Sequence, residues 1–561
     1  MPILGINHSV DSAAALVSRG EVVAASAEER FSRSKHDAAF PGRAVAWAIS
    51  QRGLALSDCD TFAFFWNPVL HMDAPNARMN ARVRHHLEYL YSLPNQVLAG
   101  RDLGALPYAH LRLPYGRRAV DCYYVTHHLC HAAHAFFESP FEEAAILTVD
   151  GYGERASTLI ASGKGNVITP HVEIAFPHSL GSVYAALTQY LGFRPLSGEG
   201  KVMGLSAYGE PRHLDLFRRL LRATPDGFEV DLSYFSYYMD GRYRFDDRLV
   251  EALGPPRQPE APIEDRHRHV AASLQAAAEE MLLHLAALAR EKTGLDRLCM
   301  AGGVALNCLA NGRIASEAGF DSCFFQPACH DAGTSAGAAL YVSHVIQGAA
   351  HTPRPDKTDY LGPSFDADRV RRALERTGVP FREPADPTEE AAERLARGRI
   401  VARFDGRAEF GPRALGNRSI LAAPGPAEVK DTLNQRVKHR EPFRPFAPSV
   451  AADRAVDYFD LQPPSPFMLR AHRTRERFVE PLAAVTHVDG TARIQTVSAE
   501  QNPGYLALIR AYGARAGLDC VLNTSFNVRG EPIVGTPEDA LRCFLTTGID
   551  DLFIGPFALE K

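Results

Sequence analysis

One supersecondary unit occurs twice in this chain, and the repetition limits its fold more than any other feature. The first thirty residues read as a strand (ILGIN), a loop bearing Asp11, a second strand (AAALV), a turn at Ser18-Arg19-Gly20 and a third strand (EVVAASAEE). From Ala145 the order returns: AILTV, the acidic loop Asp150-Gly151-Tyr152-Gly153-Glu154, ASTLIA, a turn at Gly163-Lys164-Gly165-Asn166, and VITPHVEIAF. Each copy joins a strand to a β-hairpin through a loop of a size to hold a phosphate. With 561 residues the chain is too long for one core, so two large domains or three smaller ones are expected.

Composition narrows the class. A hydrophobic share of 46% with 23% charged residues is that of a globular protein in water. The formal net charge of −5 and the lack of a long basic run weigh against a nucleic acid partner. Nine cysteines without a CxxC pair read as reduced thiols. The start, MPILGIN, has no charged n-region and no apolar h-region, and no run of about 18 apolar residues follows. No membrane span and a cytoplasmic location are therefore expected.

The first chemical constellation is H127-H-L-C-H-A-A-H, followed by the apolar strand AAILTV and Asp150-Gly151. Histidines four apart share one helix face, so His127 and His131 point the same way. Two imidazoles and the strand-ending carboxylate suit a divalent metal. Taken singly, a His pair of this spacing also fits a satisfied core, and Asp-Gly an ordinary turn. Two more loops join strand to helix. R297-L-C-M-A opens into Gly302-Gly303 and then Asn307, and F324-F-Q-P-A-C carries His330-Asp331 before a helix of small residues. Both would bring backbone N–H groups and a helix start to phosphate or ribose oxygens, and Asp331 is a candidate fourth metal ligand. The stretch S197-G-E-G-K-V-M-G is no P-loop, since Val202 follows Lys201; it reads as a separate Gly-rich loop presenting one lysine.

A Pro-rich, polar linker (residues 351–365) leads into a different unit. Its strand I400-V-A-R-F runs into G406-R-A-E-F-G-P-R-A-L-G-N-R-S, followed by V437-K-H-R-E-P-F-R-P-F and, much later, V521-L-N-T-S-F-N. Arg407, Arg413, Arg418, Lys438, Arg440 and Arg444 offer guanidinium forks and a point charge for a dense anion. Asn523, Ser525 and Asn527 alternate as on one face of a strand. A solvated arginine cluster paired with Glu409 and Glu441 is the plainer alternative.

The order GIN…DSAAAL…EERFSRSKH…HHxxHAxxAF…DGYGE…GKVMGLSAYG…AGGVALN…DAGTSAGAA…EFGPRALGNRSIL…KHREPFRPFAPS…LNTSFNVRGEPIV resembles, nearly end to end, the O-carbamoyltransferases of the NodU/CmcH/TobZ type. The resemblance implies an α/β and α+β chain. Residues 1–355 would form an actin-like ATPase domain (ASKHA fold, similar to TsaD), and residues 365–561 a YrdC-like domain. The duplicated hairpin unit is likewise similar to the folds of actin, heat-shock ATPases and sugar kinases.

The activity implied is the formation of carbamoyl adenylate from carbamoyl phosphate and ATP with Mg in the second domain. The carbamoyl group would then pass to a hydroxyl of a small-molecule acceptor in the first, as in antibiotic biosynthesis. Carried over by motif, the metal ligands are His127, His131, Asp150 and Asp331, with iron expected ahead of zinc or manganese. The carbamoyl phosphate and ATP pocket takes Arg413, Arg418, Lys438, Arg440, Arg444, Asn523, Ser525 and Asn527. Lys35, Lys201, Gly302, Gly303 and Asn307 would meet the adenylate in the first domain. Family members commonly read His-Asp where this chain has Val10-Asp11. On an extended strand His8 faces the same way as position 10, so His8 is expected to stand in, with Asp11 as the alternative. Residues Leu70 to Arg118 are the expected acceptor pocket, and a homodimer is expected from the family. Three rivals are weighed. A threonylcarbamoyl transferase acting on tRNA fits poorly with the charge. A HypF-type enzyme would need zinc-finger CxxC pairs. A non-catalytic ATP-sensing regulator of actin-like fold would need no arginine-rich second domain.

Overall fold

Short β-branched and Ala-rich runs bounded by turn residues form the strands, and the duplication survives in three dimensions. The computed structural model describes residues 2–67, 107–116, 118–239, 244–353, 355, 358–461 and 464–561. They fall into two compact units, Met1–Ala25 with Ala38–Pro355, and Ser26–Asp37 with Asp356–Lys561.

In the first unit, one sheet contains β1 (Ile3–Asn7), β2 (Ala13–Ser18), β3 (Glu21–Ala27), β4 (Thr61–Phe64), β5 (Tyr108–Tyr115) and β6 (Arg118–Val125) in the order β3-β2-β1-β4-β6-β5. The other contains β7 (Glu143–Val149), β8 (Ala156–Lys164) and β9 (Val167–Ala175). After a small hairpin of β10 (Leu221–Thr224) and β11 (Gly227–Val230), β12 (Arg297–Ala301) and β13 (Ser322–Phe325) complete it in the order β13-β12-β7-β8-β9. β1 pairs antiparallel with β2 and parallel with β4, and β7 does the same with β8 and β12. The strand ends of β1 and β7 are thus equivalent places, and ligands of parallel sheets gather at such carboxyl ends.

Small residues let the pieces meet. On the helix Ala332–Tyr341, a Cβ at Gly337 would lie 1.9 Å from Cys130 O, and one at Gly5 of β1 would lie 1.9 Å from Ser335 O. Only glycine permits such backbone approach, which is why this helix reads AGTSAGAAL.

The second unit holds a seven-stranded sheet. Its members are β14 (Val401–Phe404), β15 (Arg418–Ala422), β16 (Ala447–Ala451), β19 (Gln495–Val497), β20 (Cys520–Ser525), β21 (Asp551–Ile554) and β22 (Phe557–Glu560). The order is β19-β16-β20-β15-β14-β21-β22, beside a two-stranded ribbon of β17 (Ala471–Arg473) and β18 (Thr491–Arg493). Alternation along the strands supplies two cores. Ala402, Phe404, Ile420 and Ala422 pack with Val370, Leu374, Leu541 and Phe544 on one face. Val401, Leu421 and Phe553 pack with Ala391, Leu395, Leu508 and Ile509 on the other.

Three expectations need correction. Residues 197–209 do not form a Gly-rich loop: Glu199–Ser206 is a helix, with Lys201 within it. Glu199 Oε1 accepts the Leu196 N–H at 2.7 Å and so ties the preceding turn to the start of the helix. Residues 8 to 10 are not extended, because the Asn7 side chain accepts the Ser9 N–H at 2.8 Å and Asp11 has φ +62°. The strand-face reason for letting His8 replace position 10 therefore fails. Asn527 lies past the end of β20, so Asn523, Ser525 and Asn527 do not share one strand face. Of the expected acceptor segment, residues 70–106 and 117 lie outside the described residues.

Candidate metal centre and anion site

The helix His127–Phe137 is Ala-rich and every residue in it is buried. Its four-residue spacing sets His127 Nε2 and His131 Nε2 3.1 Å apart. β7 ends one residue before Asp150, whose Oδ2 lies 3.0 Å from His131 Nε2 and 3.6 Å from His127 Nε2. Asp331, at the start of the small-residue helix, puts Oδ1 3.9 Å from each imidazole nitrogen. The four donors lie within 4.8 Å of one another. Both Asp150 oxygens are also held from behind: the Gly151 N–H reaches Oδ1 at 2.6 Å and the Gly303 N–H reaches Oδ2 at 3.0 Å. From the equivalent strand end, Ser9 Oγ donates to Asp331 Oδ2 at 3.2 Å and Asn7 Nδ2 to Asp331 O at 2.6 Å.

Charge at this point is unbalanced. Burial and the neighbouring Asp150 push the Asp331 carboxyl up to about 7. Burial would pull His127 down, but Asp150 and Asp331 outweigh it and raise the imidazole to about 9, whereas burial takes His131 down to about 4. Asp150 stays well below the carboxylate range because the two imidazoles outweigh its burial. Two nitrogens and two carboxylate oxygens converging on one small volume fit a borderline divalent cation, which would balance both acids.

His128, between the two ligand candidates, has another job. His128 contacts Thr148 Oγ1 at 2.7 Å and Ala156 O at 3.1 Å, and burial takes it down to about 3. It fastens the helix to β7 and β8. Glu154, which sequence reasoning passed over, is 3% exposed. Its carboxylate accepts the His127 N–H at 3.1 Å on both oxygens and the Asn67 N–H at 2.6 Å. An acid five residues after a strand in D-G-x-G-E was the available signal. His8 lies edge-on to Phe65, with ring centroids 5.5 Å apart, and burial lowers its imidazole.

The expected nucleotide residues divide. Gly302 has φ +91°, and a Cβ there would meet Val149 O at 2.2 Å, so glycine is required for β7 and β12 to pass. Gly303 serves Asp150. Asn307 caps the helix Cys308–Glu317 through the Ala310 N–H and exchanges amide hydrogen bonds with Gln275 at 2.9 and 3.1 Å. Lys201 lies over the Phe193 ring, 5.5 Å from its centroid. Lys35, expected beside the adenylate in the first domain, belongs to the stretch Ser26–Asp37 that packs in the second unit. Arg30 holds that stretch to Gly411 O at 2.7 Å, and Arg33 to Ile533 O at 2.7 Å.

In the second unit the cations crowd. Lys438 Nζ donates to Asn527 Oδ1 at 2.9 Å, to Asn527 O at 3.0 Å and to Ser525 O. Arg440 lies on the Phe446 ring, 4.3 Å from its centroid, and donates to Pro445 O at 3.2 Å. Arg444 reaches Glu441 only at 3.8 Å. Burial lowers all three from their ordinary values, and the positive neighbours add to it: Arg440, Arg444 and Lys35 on Lys438, and Arg493 on both arginines. Arg493, at the end of β18, was missed because a lone arginine in TARIQ carries no motif. One buried lysine and three half-buried arginines, with Glu441 the nearest counter-charge among the described residues, suit an anion.

Two expected ligands turn out to build the site's walls. Arg418 is fully buried, stacks 3.8 Å from the Phe404 centroid, and donates to the carbonyls of Asp405, Asn417, Pro363 and Gly406. Both of its Nη atoms are engaged in holding the loop. Asn523 Nδ2 donates to Ser449 Oγ at 3.0 Å and Gln495 Oε1 at 3.1 Å. Glu409 is no surface partner of arginine either: its buried Oε1 accepts the N–H groups of Leu415, Asn417 and Arg418 and so shapes the loop that presents Arg413.

Residues 2–340 match the family described as carbamoyltransferase N-terminus, and residues 392–561 the carbamoyltransferase C-terminus. An uncharacterized protein of Synechocystis is 42% identical over 100% of this chain and 96% of its own length. The nodulation protein NolNO of Sinorhizobium fredii is 40% identical over 98% of this chain and 79% of its own. The 3'-hydroxymethylcephem-O-carbamoyltransferase of Amycolatopsis lactamdurans is 32% identical over 64% of each. Among solved structures, HypF of T. kodakarensis covers 62% of this chain and is covered over 48% of its own, at 12% identity and a TM-score of 0.31, too loose to carry an argument. Family matches on both halves and relatives of up to 42% identity place the protein among transferases: it belongs to the carbamoyltransferase family.

Proposed function

We propose that the protein is an ATP-dependent O-carbamoyltransferase whose two units divide the reaction. The second unit forms carbamoyl adenylate. Carbamoyl phosphate, ATP and one water give carbamoyl adenylate, pyrophosphate and phosphate. The first unit then passes the carbamoyl group to a hydroxyl of a small-molecule acceptor. The acceptor oxygen bonds to the carbamoyl carbon, the bond from that carbon to the AMP oxygen breaks, and AMP departs.

The observation that carries this reading is the cation cluster of buried Lys438 with half-buried Arg440 and Arg444, and Arg493 beside them. Those charges would draw in the phosphates of both substrates and hold them out of water, where carbamoyl phosphate is short-lived. Arg413, at the mouth of the loop shaped by Glu409, would complete the grip, with Ser525 and Asn527 fixing the lysine.

In the first unit His127, His131, Asp150 and Asp331 would hold a divalent cation. Such an ion supplies Lewis-acid polarisation of phosphate and carbonyl oxygens. The chain's own contribution is a rigid cradle and a base. His8, kept neutral by burial, is our choice to take the acceptor's proton, and Asp11 is the alternative.

The relative named as an O-carbamoyltransferase of a cephem supports a small-molecule acceptor here too. Incubation with ATP, Mg and carbamoyl phosphate, followed by mass spectrometry, tests the proposal. Carbamoyl adenylate and pyrophosphate should accumulate together, and unconsumed ATP would refute it.

A further inference from the structure

Glu154 is tied to the metal centre by three backbone N–H contacts. The carboxylate sits 3% exposed at the end of the loop that begins with Asp150. On one side it accepts the N–H of His127, the first residue of the helix bearing both imidazoles, at 3.1 Å on each oxygen. On the other it accepts the N–H of Asn67 at 2.6 Å. Asn67 is wholly buried and follows Phe65 and Trp66, whose rings pack edge-on against His127 with centroids 5.9 and 5.6 Å away. Thr126, the residue before the helix, makes no side-chain cap, so Glu154 does that work from across the fold. Gly153 makes the approach possible, since a Cβ there would come within 3.2 Å of the His127 Cβ.

We infer that Glu154 is a positioning residue: one loop supplies Asp150 as a ligand and, four residues on, fixes the register of the helix that supplies both imidazole nitrogens. Loss of Glu154 leaves the helix start without its acceptor and frees the Phe65–Trp66 wall. His127 and His131 then drift relative to Asp150 by the few tenths of an ångström that a metal site does not tolerate. Supporting partners of this kind are worth about 10–100-fold in metal affinity. The inference rests on the metal-binding reading of the first unit.

The test is titration of the metal-stripped full-length protein with Co(II), following the visible absorption of the bound ion. Wild type, Glu154→Ala, Glu154→Asp and Glu154→Gln are compared, with thermal unfolding recorded for each. Glu154→Ala should stay folded at the titration temperature, bind Co(II) 10–100-fold more weakly and show an altered band shape. Glu154→Gln keeps the Oε1 acceptor for both N–H groups and should remain within about 3-fold of wild type, a rescue tied to the hydrogen bonds rather than the charge. If Glu154→Ala does not fold, Glu154→Asp, a methylene short of the helix, should show the weakening. Folded Ala or Asp variants with wild-type affinity and spectrum would overturn the inference. Wild type that takes up no Co(II) would refute the metal reading itself, and the inference with it.

Discussion

Gly337 and Cys130 lie backbone to backbone, so close that a single added methyl would sit 1.9 Å from the Cys130 carbonyl oxygen. That contact joins the helix led by Asp331 to the helix carrying His127 and His131. Gly337→Ala should therefore act at a distance. Overpacking of this kind costs about 1–3 kcal/mol, and the two helices must part to relieve it. Chemical denaturation should show the loss, and the metal content of the purified variant should fall with it.

Removing a ligand directly has a cleaner signature. His131→Ala leaves a small buried hole but takes away one of four converging donors. The variant should fold, lose most of its bound metal by elemental analysis, and lose carbamoyl transfer to any acceptor.

Arg418→Met separates a wall from a ligand. Four carbonyls lose their donor, two of them (Pro363 and Asn417) on buried residues, so stability should fall by about 2–3 kcal/mol. In whatever fraction remains folded, affinity for carbamoyl phosphate should change less than in Arg444→Ala. Urea titration beside equilibrium binding distinguishes the two effects.

Much of this was legible in the sequence. The repeated strand, loop and hairpin set out both sheets of the first unit, and HxxxH with the strand-ending Asp150 located three of four converging side chains. Asp331 followed from its place before a helix of small residues. What was not legible depended on distance in the chain. Glu154 reads as one more acid until its buried carboxylate is seen to cap a helix that begins 27 residues earlier. Arg493 has no local motif, and Arg418 looks like its neighbours because a sequence does not show which arginine points inward. His8 was argued from strand alternation, which the Asn7 side chain breaks by turning the chain at Ser9.

Titration of the anion site has a definite sign. Burial and nearby arginines lower Lys438 from its ordinary 10.5, against the oxygens of Ser525 and Asn527 that favour its charge. Between the lowered value and 10.5 the folded protein holds fewer protons than the unfolded chain, so stability rises with pH across that window. A bound anion favours the protonated amine. Binding of carbamoyl phosphate should therefore take up protons and weaken as pH rises through the window. Calorimetry in two buffers of different ionisation enthalpy would show the uptake, and Lys438→Met should abolish it.

The division of labour between the units is tested most directly by pyrophosphate release from ATP and carbamoyl phosphate, with no acceptor present, in Arg444→Ala and His131→Ala side by side. The account predicts near wild-type release in His131→Ala and a loss of at least about 100-fold in Arg444→Ala, as expected when a charged contact made to the reacting groups is removed. Equal loss in both variants, or undiminished release in Arg444→Ala, would contradict it.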